Sequence, residues 1–121
     1  MNDLGLEIRP VELTFEHKVP PQATVHLVRR HPGLFRGHTL RMGPDVTWAF
    51  AIETIRVGIY MESERTPCHA REIDGVRLDL MTANGHDILI SVRNTTDGAV
   101  TFKATLEGQG TIDERTPEGP A

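Results

Sequence analysis

Cysteine is almost missing from the 121 residues: Cys68 stands alone. One thiol excludes an internal disulfide framework and a zinc site built on paired thiolates. Aromatics are few and lysine is scarcer still, with Lys18 and Lys103 set against eleven arginines. Serine occurs only at Ser63 and Ser91. No apolar run approaches the roughly 20 residues of a membrane-crossing helix. The segment Met1–Gly5 has neither the basic start nor the apolar stretch of a signal peptide, so an intracellular protein is expected. A net charge of -4 with 25% charged residues is ordinary for a folded chain and argues against wholesale disorder. The length fits one domain with a core of its own.

What is present is unevenly placed. From His17 to Pro44 there is no acid, while Lys18, Arg29, Arg30, Arg36 and Arg41 fall there together with His17, His26, His31 and His38. Acids flank the stretch at Glu7, Glu12 and Glu16 on one side and Asp45, Glu53, Glu62 and Glu64 on the other. Such segregation can set a basic surface against an acidic one, within a monomer or between copies. Arginine suits interfaces because its flat fork pairs bidentately and stacks; a GC-rich codon bias accounts for the same excess.

Hydrophobic periodicity reads as strands. Val100, Phe102, Ala104 and Leu106 alternate with Thr101, Lys103, Thr105 and Glu107, and Ile88, Ile90 and Val92 share one face just before them. Asn94-Thr95-Thr96-Asp97-Gly98 lies between, so Asp87–Arg93 and Ala99–Glu107 are expected to form a hairpin. Leu4, Leu6 and Ile8 alternate, Pro10 interrupts, and Val11, Leu13 and Phe15 resume, which marks an edge or a bend. After Pro20-Pro21, Ala23, Val25 and Leu27 form another strand, followed by a short one at Thr39–Met42. Residues 45–60 fit a helix face through Trp48, Ile52, Ile55 and Ile59, with Asp45 as cap. Their β-branched density and the alternation of Glu53–Val57 favour a strand over Phe50–Tyr60, with a helical turn at Asp45–Ala49. A last strand runs through Val76–Met81. The sum is an all-β, antiparallel β-sandwich of seven or eight short strands over residues 1–107. Residues 108–121, rich in Gly, Pro and acids, are expected to be a mobile tail.

Catalytic patterns are scarce. There is no phosphate-cradling glycine loop and no nucleophile elbow, and Ser91 reads as an ordinary strand position. Cys68 and His69 are neighbours, and neighbours on an extended chain point to opposite sides. No two histidines stand at the H-x-H or H-x-x-x-H spacing that one strand or helix face needs, although His17, His38, His69 and His86 can converge only in space. Blue copper needs two histidines, a cysteine and a weak axial methionine; His, Cys68 and Met81 exist here, but the clustered loop spacing of that site does not. Glu62 with Glu64, and Asp74 with Asp79, sit in loop-like contexts where solvated acids are the rule. Neither a metal nor another cofactor is expected. Phe35 is the lone aromatic within the basic stretch and the total charge is negative, so nucleic acid is not expected as a partner.

Four ordered segments carry a resemblance: Leu34-Phe35-Arg36 leading to Thr39-Leu40-Arg41-Met42, then Phe50–Gly58, then Ile88–Thr95, then Val100–Gly108. Over about residues 34–108 the chain resembles small jelly-roll-like β-sandwich proteins of phage and prophage genomes, virion or assembly components. That resemblance implies a structural subunit that packs against its own copies or other virion proteins, present in the cytoplasm during assembly and then in the virion, and it transfers no functional residue. The resulting expectation is a non-enzymatic homo-oligomer, with no membrane partner. Its candidate contacts are Arg29, Arg30, Phe35, Arg36, Arg41 and Trp48, because arginine and aromatics concentrate binding energy. Against this stand Phe35 and Trp48 as core residues with solvated arginines, and a β-sandwich module that binds a small ligand or carbohydrate.

Overall fold

The computed structural model describes residues 6–31, 33–57, 61–62, 66–82 and 87–113. Along them run β1 (Leu6–Val19), β2 (Thr24–Arg30), β3 (Phe35–Met42), helix α1 (Pro44–Thr47), β4 (Phe50–Val57), β5 (Met61–Glu62), β6 (Cys68–His69), helix α2 (Ala70–Ile73), β7 (Arg77–Thr82), β8 (Asp87–Asn94) and β9 (Val100–Asp113). They form two antiparallel sheets, β1-β9-β3-β7 and β2-β8-β4-β5, with β6 also pairing β4. β5 meets β4 at Arg56–Val57 and β6 meets it at Ala51–Ile52, so together they edge β4 as one interrupted strand. Counted that way, the two sheets have the strand order of an eight-stranded jelly roll.

Period-two alternation explains the core. Leu13, Phe15 and Val19 of β1 and Phe102, Ala104 and Leu106 of β9 turn inward from one sheet. Phe50, Ile52, Ile55 and Val57 of β4 and Ile88, Ile90 and Val92 of β8 meet them from the other. The Phe50 and Phe102 rings lock the layers edge to face, with centroids 5.2 Å apart and planes at 81°. α1 and α2 close one end of the sandwich, burying Val46, Ala49, Ala70 and Ile73.

Three expectations change. The strands around Asn94–Gly98 exist but are not a hairpin: β8 pairs with β2 and β4, and β9 pairs with β1 and β3. The turn carries the chain from one sheet to the other. The Asn94 amide holds it by donating to the Gly98 and Val19 carbonyls while its oxygen accepts from the Thr96 amide. Second, the two runs on either side of Pro10 are one strand: β1 passes through Pro10 as 14 residues at the sheet edge, the edge rather than the bend that a proline there marks. Third, residues 108–113 belong to β9 rather than to a tail, and 114–121 lie outside the described residues. Gly108 and Gly110 serve close approach there: a Cβ on Gly108 would lie 2.1 Å from the Arg36 carbonyl oxygen, and one on Gly110 2.8 Å from His31 Nε2. Elsewhere the expected strands appear among the described residues, with α1 then β4 over 44–57; the expected end of that strand at 58–60 lies outside the described residues.

Candidate functional site

Folding disperses the basic stretch. Arg36 and Arg41 stand exposed on β3 in one sheet, Arg29 and Arg30 on β2 in the other. Arg30 Nε pairs with Asp87 Oδ1 at 2.8 Å and Arg41 Nε with Glu107 Oε1 at 2.7 Å, so acids from β8 and β9 are interleaved with it. Arg29 Nη1 donates to the Thr14 carbonyl across the side of the sandwich, at 3.1 Å. The acid-free segment therefore builds no single basic face. Phe35 is 1% exposed and packs in the core beside the His31 ring.

Trp48 goes the other way. Pro44 starts α1 with a preset φ, Thr47 Oγ1 donates back to the Pro44 carbonyl, and Val46 and Ala49 take the inward positions. Trp48, at the helix C-cap, is left 71% exposed. The Arg71 guanidinium carbon lies 4.8 Å from its ring centroid. α2 holds Arg71 there: Ala70 and Ile73 are buried, and the Glu72 carboxylate accepts from the His69 amide at 2.9 Å. The outcome is an aromatic plane with a cation fixed against it, an arrangement that loses little side-chain entropy on contact.

Two other groupings bear on chemistry. On the outer face of β2-β8-β4, His26 Nδ1 lies 2.6 Å from Ser91 Oγ, with Thr54 opposite Ser91 on β4. Ser91 is only 4% exposed, and no carboxylate orients His26 among the described residues, so the pair lacks the access and the third group of an activated nucleophile. Sequence reading missed it because 65 positions separate the two. Beside α1, a cleft of about 440 Å³ opens over β9, with Arg41, Met42, Pro44, Asp45, Thr101 and Lys103 in its walls.

Cys68 is half-buried and His69 exposed on β6. Among the described residues no three His, Cys, Asp or Glu side chains gather as a metal ion would require, and none of the helices there is long and apolar enough to cross a membrane. His86 and the Met81 side chain lie outside that set. Nor does any buried side-chain nitrogen or oxygen in it lack a hydrogen-bond partner. The chain matches no protein-family model, no curated protein and no solved structure.

Proposed function

We propose that this protein is a non-enzymatic structural subunit whose copies pack into a symmetric oligomer, of the kind that builds a virion or another shell. The observation that carries the reading is Trp48, a large aromatic left 71% exposed at the end of the sandwich with Arg71 stacked on it. Tryptophan and arginine are the residues on which interfaces concentrate their energy, and a stable monomer gains nothing from leaving that ring in water. The jelly-roll order of the strands and the resemblance over residues 34–108 support a shell component.

Sedimentation and light scattering across micromolar concentrations test this. The wild-type chain forms a defined oligomer. Trp48→Ala weakens it by about 30-fold, the equivalent of roughly 2 kcal/mol, while leaving the unfolding midpoint in place. A strict monomer at every concentration and salt overturns the reading.

The cleft beside α1 favours a second reading, a module that binds a small ligand or carbohydrate. A monomer whose Thr101, Lys103 and Thr105 amide resonances shift on titration with a sugar or carboxylate panel would replace the first reading with this one.

A further inference from the structure

We propose that β1 is a self-recognition strand: two copies pair their β1 edges antiparallel about a two-fold axis at Phe15, fusing two four-stranded sheets into one of eight. The inference rests on the self-assembly reading and names one of its contacts.

The backbone shows which groups β1 leaves free. Among the described residues β1 has β9 on one side and no strand on the other. Thr111 of β9 donates its amide to the Leu34 carbonyl, so the odd residues of β9 face β3 and its even residues face β1. The register sets Leu13 against Leu106 and Phe15 against Ala104, so the odd residues of β1 bond to β9. Its even residues, from Ile8 to Lys18, direct their N–H and C=O groups to the open side. Two independent features agree. The Thr14 carbonyl is free to accept from Arg29, and Pro10, with no N–H, sits where β9 loses no hydrogen bond.

The side chains of the same even residues make the edge self-complementary. Glu12, Glu16 and Lys18 are exposed, while Leu13 and Phe15 between them are buried. A two-fold axis at Phe15 faces Glu12 with Lys18 of the second copy, and Thr14 with Glu16, each pair occurring twice. The same axis faces Pro10 with Pro20, so the new ladder stops at both ends where neither chain has an amide to give. Other registers lose on charge, on length or on a proline inside the ladder. An axis at Thr14 sets Glu12 against Glu16, one at Glu16 sets that residue against itself, one at His17 runs into Pro20 within a few residues, and one at Leu13 gives up both Glu12–Lys18 pairs and puts Pro10 opposite Glu16 inside the ladder. Like charges directly opposite destabilise a strand pair and opposite charges support it, so the register is specified as well as permitted. Arg29 does not close the edge, since the Thr14 oxygen has a second lone pair for the incoming amide of Glu16. An open 14-residue edge is a hazard that proteins normally cover, and pairing with its own copy covers it.

The test uses the full chain and two charge reversals. Lys18→Glu places two glutamates opposite one another, and Glu12→Lys places two lysines opposite one another. Each variant alone self-associates about tenfold more weakly than wild type, while an equimolar mixture of the two recovers wild-type affinity as a mixed pair. Thr14→Pro, which removes an amide that β9 does not use, abolishes pairing with its unfolding midpoint close to wild type. If the wild type is oligomeric and both reversals keep its dissociation constant, β1 is not the contact and the self-assembly reading survives without it. If the wild type is a monomer throughout, both fall.

Discussion

The Asn94 side chain joins the end of β1 to the turn that changes sheets: its Nδ2 donates to the Val19 carbonyl at 3.0 Å and to the Gly98 carbonyl at 2.8 Å. Asn94 and Val19 are fully buried, so the Val19 carbonyl has no water to turn to. Asn94→Ala is expected to cost about 2 kcal/mol in urea unfolding. Asn94→Asp costs more, because it sets an acceptor-only carboxylate against two carbonyl oxygens while keeping the Thr96 bond.

Two glycines give opposite results. At Gly108 a Cβ would meet the Arg36 carbonyl oxygen at 2.1 Å, a backbone atom that cannot swing aside. Gly108→Ala therefore costs about 3 kcal/mol or more. At Gly98 nothing lies within 4 Å of the added methyl, and Gly98→Ala stays within about 0.5 kcal/mol of wild type. Thermal unfolding of the two variants side by side checks both.

Phe50 and Phe102 touch across the layers, one from β4 and one from β9. A double-mutant cycle with Phe50→Leu and Phe102→Leu is expected to return a coupling of about 0.5–1.5 kcal/mol beyond the loss of buried area. A coupling near zero would mean that the edge-to-face geometry adds nothing to packing.

The surface ion pairs carry little. Arg30→Ala and Arg41→Ala each remove a contact made by an exposed arginine with a partly exposed acid. Each costs less than about 1 kcal/mol, and the cost falls further in high salt. Denaturation midpoints at low and high ionic strength measure it.

Much of the architecture was legible in the residues, and its wiring was not. The alternation of Val100, Phe102, Ala104 and Leu106 states which face is buried, and that face is where the core lies. The same alternation is silent about which strand is the neighbour. The turn residues at 94–98 therefore suited a hairpin as well as the crossing between sheets that they make. Gly108 and Gly110 misled for a related reason: glycine marks a loose chain and a tight backbone approach with the same letter. Of the candidate contacts, Trp48 is exposed and Phe35 is core, although residue type alone marks both as aromatics fit for either place. The difference lies in the helical turn at 44–47, which points one ring out. The exchange of Arg30 and Arg41 with acids on β8 and β9 needed three-dimensional neighbours that no local window contains.

The pairing of β1 with β9 has a consequence for how the protein is made. β1 is the first of the described strands to be synthesised and β9 the last, and β9 also supplies the neighbour that β3 needs. Among the described residues only the short contact of β4 with β5 joins strands adjacent in the chain. A nascent chain emerging from the ribosome thus holds β1, β2 and β3 for most of translation without a lasting partner for any of them. Contacts so distant in sequence make folding slow and late. Until β9 is made, β1 lacks a strand on either side among the described residues, so the strand that would join two finished copies shows twice as many unpaired backbone groups before they are finished.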